Sequence, residues 1–319
     1  VVAMAGIEPI VACLADGADV VIAGRSCDVA LFAALPVLRG VPTGIAVHLG
    51  KTIECGSLAA EPVISREPVI GIARHDDFLV RACHPDQRCT PASVASFQLY
   101  ERSDPLRELL PGGHADLSGA SFVADSDDTC RVAGSRWVAA EAYAMKLEGA
   151  EYVGHRAYVI FGVRDSGSTA NIDGIVEHLR ARVAAQFPEL AAEGGHIAFH
   201  VYGRDAILGV RETAGRVAHE LGVVIDMVHP DRERLAHIGS LVKYLAFRAD
   251  YPGKRSSGGT GALLAEEVLE APKPVFRWSI DHLLTVEHWS EVIATSSEDV
   301  AGGASTGHRR TARAWEDGR

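Results

Sequence analysis

The feature that most constrains the fold is the stretch ADVVIAGRSCDVALFAAL, from Ala18 to Leu35. Its branched apolar residues end at Gly24, and an apolar run typical of a buried helix begins at Asp28. The preceding residues, PIVACLADG, have the pattern of a short helix that Gly17 closes. A succession of helix, strand, turn and helix is typical of an α/β layer with a parallel sheet. We therefore expect an α/β fold, with residues 1–66 forming the remainder of an N-terminal α/β domain.

The pattern changes from Pro68 onward to short alternating runs separated by turn residues, such as PVIGIAR and DDFLVRAC, and these runs predict strands. Farther along, TANIDGIVEHLRARVAAQF has apolar residues at helical spacing and predicts an amphipathic helix. We expect residues 67–290 to form a strand-rich α+β region that follows the parallel-sheet layer. Residues 291–319 are small, polar and without periodicity, which predicts a poorly ordered tail.

Charge and cysteine content restrict the class of protein. The net charge of the 319 residues is -11 at pH 7, which disfavours a nucleic-acid partner because such a partner requires a basic surface. No apolar run is long enough to predict a membrane span. The six cysteines include no C-x-x-C pair, so we expect reduced thiols in a cytoplasm. The chain opens on Val and runs directly into apolar sequence, which indicates a fragment of a longer protein.

The turn that contains Gly24, Arg25 and Asp28 is the first candidate site. A loop after a parallel strand lies at the carboxyl edge of the sheet, where open α/β folds bind their ligands. The Arg25 guanidinium offers a planar set of donors for a carboxylate or phosphate, and Asp28 is suited to orient it or to act as a base. The alternative is a structural pair between Arg25 and Asp28, in which Asp28 caps the following helix.

The Gly- and Pro-rich segment RGVPTGIAVHLGKTIECGSLAAEP predicts a loop, and its centre carries His48, Lys51, Glu54 and Cys55. This density of proton-transfer groups favours acid–base chemistry, with Glu54 and His48 as the acid and the base. Cys55 is a candidate nucleophile. A solvated loop in which Cys55 is a small buried hydrophobe explains the same residues equally well.

Three further segments supply weaker candidates. Lys146 and Glu148 are separated by one residue, so on a strand both side chains point to one face, where an ion pair is expected. Arg164 and Asp165 follow a strongly apolar strand, where an active-site edge is one interpretation and a structural pair at the strand end is the other. Gly258 and Gly259 belong to SSGGTGALL, whose backbone N–H groups suit an anion, although a plain flexible loop is the alternative. No metal site is predicted, because the cysteines and histidines lack the close spacing of zinc ligands.

Five separated blocks resemble the acyclic terpene utilisation (AtuA-like) family: GADVVIAGRSCD, HLGKTIECG, LYERSDPLRELLPGGHADL, KLEGA and GVRD. They occur in the order that the family has. Members of this family are encoded with bacterial enzymes that degrade citronellol- and geraniol-type terpenes through CoA thioesters. They usually carry a further glycine-rich segment before the block that matches AMAGIEPIV. The resemblance implies a catabolic role but supplies no catalytic residues.

Residues and resemblance together favour a cytoplasmic lyase or hydratase that acts on an acyl-CoA or a branched carboxylic acid. The catalytic candidates are Glu54, His48, Asp28 and Cys55, and the substrate-binding candidates are Gly24, Arg25, Lys51, Lys146, Glu148, Arg164, Gly258 and Gly259. We expect no cofactor beyond a CoA-thioester substrate, and no nucleic-acid or membrane partner. A second copy of the chain or a small partner subunit is compatible with the sequence. The alternatives are a Cys55-dependent hydrolase and a non-catalytic binding or scaffolding subunit of a catabolic complex.

Overall fold

The computed structural model describes residues 1–213, 215, 218–255, 260–265, 267–271 and 273–298. The chain forms two compact units: the first contains Val1–Gly149 and the chain from Ile280 onward, and the second contains Ala150–Ser279. The predicted division between residues 66 and 67 stays a prediction. Most of the predicted tail, residues 299–319, lies outside the described residues. Within the described ranges, no helix is long and apolar enough to cross a membrane.

The first unit packs helices against small antiparallel sheets. Its α-helices are α1 (Glu8–Ala15), α2 (Asp28–Leu38), α3 (Thr43–Ile53) and α4 (Pro91–Phe97), and 3-10 turns cover Gly56–Ala59 and Trp289–Glu291. Its strands are β1 (Val2–Ala3), β2 (Val69–Ala73), β3 (Asp77–Ala82), β4 (Arg107–Leu110), β5 (Gly113–Asp116), β6 (Ser121–Ala124), β7 (Thr129–Ala133), β8 (Arg136–Ala139) and the start of β9 (Tyr143–Val163). One sheet has the order β2-β3-β7-β6, another has the order β4-β5-β8, and β1 pairs with β9.

The predicted parallel-sheet layer is wrong. Every registered pair of strands in the described chain is antiparallel, and parallel pairing is limited to one isolated bridge between Ala5 and Ser26. The run from Ala18 to Gly24 is not a strand. Val20 and Ile22 are 77% and 94% exposed, so this run is not part of a buried sheet. Short connections such as residues 74–76 between β2 and β3 allow only antiparallel neighbours, because a parallel pair needs a crossover of about a dozen residues.

The predicted loop around residues 39–62 is also wrong, because α3 lies within it. Every residue from Gly44 to Thr52 is buried. A Cβ at Gly44 would lie 2.4 Å from the carbonyl carbon of Arg136, and a Cβ at Gly50 would lie 2.7 Å from the carbonyl oxygen of Val29. Both glycines therefore permit close packing and do not form turns. As a result, the polar side chains of α3 are held inside the unit.

The second unit is an antiparallel sheet with helices packed on it. Its strands are the rest of β9, β10 (His196–Tyr202), β11 (Leu221–His229), β12 (Ala262–Leu263), β13 (Leu269–Glu270) and the start of β14 (Val275–Val286). Its helices are α5 (Ser166–Ala170), α6 (Ile172–Gln186) and α7 (Arg232–Phe247), and a 3-10 turn covers Gly209–Arg211. β11 pairs with both β9 and β10, and β12, β13 and β14 pair with β9.

The core of the second unit lies between its sheet and α6 and α7. Alternate residues of β11 from Leu221 to Met227 are buried, as expected for a sheet with one covered face. The predicted amphipathic helix is confirmed, because α6 buries Ile172, Ile175 and Leu179 in the same cluster. This packing fixes the position of α6 relative to the strands of the unit.

Candidate functional site

Lys51 and Glu54 form a buried ion pair at the end of α3. The Lys51 Nζ lies 2.5 Å from Glu54 Oε1, and the two side chains are 7% and 8% exposed. Their spacing of three residues places both on one side of the last helical turn. Because α3 is enclosed, the pair is shielded from water, which strengthens its electrostatic interactions.

A second buried pair, between Arg102 and Glu108, comes from a part of the chain that sequence reasoning did not select. Arg102 Nε lies 2.7 Å from Glu108 Oε2, and Arg102 is only 4% exposed. Glu101 has a left-handed backbone with φ 56°, an uncommon conformation for a residue other than glycine, immediately before Arg102. The Nη2 of Arg102 is buried and has no hydrogen-bond partner among the described residues. A buried donor without a partner is rare in folded proteins, so Arg102 is a candidate functional residue.

The two pairs form one group, called here the charge cluster: Lys51, Glu54, Arg102 and Glu108. The charge of Glu108 acts on both Lys51 and Glu54, and the charge of Glu54 acts on Arg102. Four charges of alternating sign therefore lie close together in a poorly solvated position. Such clusters perturb proton affinities and are frequent at functional sites.

Burial and neighbouring charges set the proton affinity of the cluster. Burial raises the pKa of Glu54 above its ordinary value, and the cation of Lys51 only partly opposes this. Burial likewise raises the pKa of Glu108 against the opposing effect of Arg102. Burial lowers the pKa of Arg102. For Lys51 burial is the largest effect and acts downward, but the hydrogen bond to Glu54 and the charges of Glu54 and Glu108 together outweigh it, so the pKa is raised. Both carboxyls are thus shifted toward neutrality.

Three of the predicted binding residues lie together, because Arg25 and Lys146 both contact the carboxylate of Glu148. Glu148 Oε2 accepts a hydrogen bond of 2.7 Å from Arg25 Nε, and Glu148 Oε1 lies 3.1 Å from Lys146 Nζ. The predicted ion pair between Lys146 and Glu148 is therefore present. The hydrogen bond from Arg25 holds the pKa of Glu148 below its ordinary value. Lys146 also lies 3.5 Å from Asp281.

The charge of Asp28 acts on Arg25 in this group and on Glu54 in the charge cluster. Asp28 is exposed in the first turn of α2, and its charge contributes to raising the pKa of Arg25 and of Glu54. Gly24 lies just before Arg25 in an exposed bend. Cys55 follows Glu54 and is partly buried. Burial, followed by the charge of Glu54, raises the pKa of its thiol, which disfavours the thiolate at neutral pH.

Residues 1–272 match the family model described as acyclic terpene utilisation family protein AtuA. The chain belongs to this family. The resemblance inferred from the five sequence blocks is confirmed, and membership gives the AtuA-family chain a role in acyclic terpene utilisation. No curated protein and no solved structure matches the chain.

His48 occupies a different environment from the charge cluster of this AtuA-family protein. Its ring is fully buried, and Nδ1 lies 2.6 Å from the Ser135 hydroxyl. The edges of Phe78 and Phe122 pack against it at ring-centroid distances of 5.1 and 6.0 Å. Burial, reinforced by the charge of Arg102, lowers the pKa of His48 to about 3. The imidazole is therefore neutral at physiological pH, and the described chain contains no hydrogen bond between it and Glu54.

The remaining predicted residues lie elsewhere in the chain. Arg164 is exposed in the second unit, directly after β9. Gly258 and Gly259 lie outside the described residues. In the parts of the chain that the structure describes, no group of three or more His, Cys, Asp or Glu side chains is arranged to hold a metal ion. The geometry therefore brings together Lys51 with Glu54, and Arg25 with Lys146 and Glu148. The block LYERSDPLRELL, already among the family blocks, was the sequence signal that contained Arg102 and Glu108.

Proposed function

We propose that this AtuA-family protein is a catabolic enzyme of acyclic terpene breakdown, of the lyase or hydratase type, and that the charge cluster performs its acid–base step. The observation that carries the proposal is a pair of buried carboxyls, Glu54 and Glu108, whose pKa values are raised while each lies against a cation. A carboxyl with a pKa nearer the working pH is a more effective proton donor and acceptor.

The chemistry of such a reaction matches these residues. Adding water across a double bond conjugated to a carbonyl, or removing it, moves a proton to or from the carbon beside that carbonyl. A base takes this proton, an acid protonates the departing hydroxyl, and negative charge develops on the carbonyl oxygen. In this proposal Glu54 and Glu108 exchange the protons, and Arg102 Nη2 and Lys51 stabilise the developing oxyanion.

The substrate class in this proposal is an acyl-CoA thioester or a branched carboxylic acid. Both carry a carbonyl for the oxyanion step and an anionic group elsewhere. Arg25 and Lys146 are 45% and 41% exposed at the side chain, and they are suited to attract such an anion although Glu148 already pairs with them. We further propose a cytoplasmic location, which the free thiols of all six cysteines support.

Conservative substitutions test the proposal. Glu54→Gln and Glu108→Gln keep the size of each side chain and remove its proton chemistry. We expect either change to lower kcat at least about 100-fold for hydration of a branched enoyl-CoA, or of the corresponding free acid. The reaction is followed by loss of the absorbance of the conjugated double bond. Glu177→Gln, on the exposed side of α6, is the matched control and should leave kcat unchanged.

Thermal unfolding by circular dichroism separates catalysis from folding in the same set. If both variants fold and retain full turnover, the charge cluster is not the acid–base site. If the unaltered protein converts none of these substrates, the lyase or hydratase assignment is wrong, and the non-catalytic subunit becomes the better description.

A further inference from the structure

A groove runs along the second unit between the end of α6 and β10. It is an open depression with a volume of about 330 Å³, and the apolar side chains that line it include Val183, Phe187, Leu190, Ile197 and Phe199. This volume lies at the lower end of the range typical of small-molecule sites, which are mostly apolar with a few polar groups. Val183 and Phe187 are almost fully buried, so packing against the core fixes one wall of the groove.

Arg180, an exposed residue of α6, brings a cation to this groove. The Arg180 Cζ is 4.7 Å from the centre of the Phe199 ring, a cation–π contact that holds the guanidinium against the apolar lining. Among the described residues, no carboxylate pairs with Arg180 and no group hydrogen-bonds to it. Arg234, on α7, provides the contrast, because Glu193 neutralises it at 3.1 Å. The groove therefore combines an apolar surface with one uncompensated positive charge.

Leu190, in the wall of the groove, packs closely over Gly195. A Cβ at this position would lie 2.3 Å from the Leu190 Cδ1, and 2.9 Å from the ring of His229. Any side chain at Gly195 would displace Leu190, which lines the cavity. The absence of a side chain at Gly195 therefore allows Leu190 to take its place in the wall of the groove.

We propose that this groove binds a free carboxylic acid with a branched apolar chain, with the chain along Val183, Phe187 and Leu190 and the carboxylate on Arg180. Charge complementarity decides the head group, because a guanidinium binds a carboxylate with two parallel hydrogen bonds and gains little from an alcohol or a thioester. The inference goes beyond the proposed reaction, because all the residues that carry it lie in the second unit and none belongs to the charge cluster.

Calorimetric titration of the full chain tests this site, with geranic acid, geraniol and geranoyl-CoA as probes. We expect geranic acid to bind more tightly than geraniol, and Arg180→Gln to leave the binding of geranoyl-CoA unchanged. Arg180→Gln should weaken binding of the acid about 10-fold and leave binding of the alcohol unchanged. Arg182→Gln, an exposed arginine on the same helix, is the control and should change neither. Ala184→Leu, which narrows the groove from an exposed helix position, should weaken both the acid and the alcohol.

Each other result overturns the proposal. Unchanged affinity of Arg180→Gln for the acid, equal binding of the acid and the alcohol, or no binding by the unaltered protein would each exclude a carboxylate site here. A probe that also binds at the charge cluster does so in the unaltered protein and in Arg180→Gln alike, so the difference between their titrations reports on the groove alone. Failure of this proposal is therefore distinguishable from failure of the proposed function, which the turnover of Glu54→Gln and Glu108→Gln tests.

Discussion

His48 should make the stability of the protein fall as the pH is lowered, and one substitution should remove that dependence. The buried ring has its pKa lowered from 6.5 to about 3 in the folded chain. When the protein unfolds, the ring is exposed to water and regains its ordinary proton affinity. Below about pH 6.5 the unfolded chain therefore binds a proton at His48 that the folded chain does not bind, which favours unfolding.

The sign and size of the effect follow from this difference. The stabilising contribution is fully present above the unfolded pKa and is lost as the pH falls toward the folded value. Each pH unit below the unfolded pKa costs about 1.4 kcal/mol, so between about pH 7.5 and about pH 5 the free energy of unfolding should fall by about 2 kcal/mol because of His48 alone.

Urea unfolding at several pH values measures this contribution. His48→Gln cannot gain a proton, so its free energy of unfolding should fall by about 2 kcal/mol less over that pH interval than that of the unaltered protein. The absolute stability of His48→Gln does not enter the comparison. His75→Gln, which replaces a histidine that is 77% exposed at the side chain, is the control for the loss of a histidine outside the core.

Parallel pH profiles for His48→Gln and the unaltered protein would refute the reasoning. A direct measurement covers the case in which His48→Gln fails to fold. In the unaltered protein, the NMR signals of one histidine ring should show a neutral imidazole down to about pH 4. A titration of all rings near their ordinary pKa would show that the burial of His48 has no electrostatic consequence.

Three further predictions address packing, ion pairing and thiol reactivity. Gly50→Ala should destabilise the protein by about 1–3 kcal/mol, because its Cβ would meet the Val29 carbonyl oxygen at 2.7 Å. Gly174→Ala, in the exposed part of α6 with nothing near the new atom, should instead stabilise the protein by up to about 1 kcal/mol. Urea unfolding that shows a more stable Gly50→Ala or a less stable Gly174→Ala would contradict this. Glu148 is held below its ordinary pKa, so its contribution is present above that value and lost as the pH falls. Glu148→Gln should therefore lose about 1 kcal/mol at neutral pH and show a shallower loss of stability in acid. Iodoacetamide at neutral pH should modify the exposed Cys83 faster than Cys55, whose thiol pKa is raised, and the reverse order by mass spectrometry would revive the nucleophile hypothesis for Cys55.

Local patterns in the sequence predicted α1, α2 and α6 but missed α3, which lies in the predicted loop. α1 ends at Ala15, and Gly17 adopts the left-handed conformation expected of a residue that closes a helix. α2 begins at Asp28 as expected, although Cys27 occupies the capping position. These features depend on neighbouring residues alone, so periodicity and turn chemistry are enough to find them.

The errors concern features that depend on distant parts of the chain. The apolar run from Ala18 to Ala23 has the composition of a buried strand, but composition does not specify a neighbouring strand, and the run is largely exposed. Glycines at positions 44 and 50 resemble loop residues in sequence, whereas in the structure they permit close helix packing. Local sequence cannot distinguish these two uses of glycine.

For the same reason, only one of the two ion pairs in the charge cluster could be predicted from the sequence. Lys51 and Glu54 are three residues apart, so a helix brings them together. Arg102 and Glu108 join them only through tertiary packing, and neither residue type is informative alone. The sequence favoured His48 as the acid–base partner of Glu54. In the structure the His48 ring instead contacts Ser135 and two aromatic rings.

The division of the chain between its two units has a consequence for synthesis on the ribosome. Trp289 packs with Ala12 and Met145 in a buried cluster of the first unit. The whole of the second unit, Ala150–Ser279, is translated between Met145 and Trp289. The second unit therefore has all its residues available before the first unit has the side chain that completes its core. During translation the first unit therefore begins to emerge before the second unit but completes its core after it. Until Trp289 has been synthesised, Met145 lacks one of the side chains that bury it.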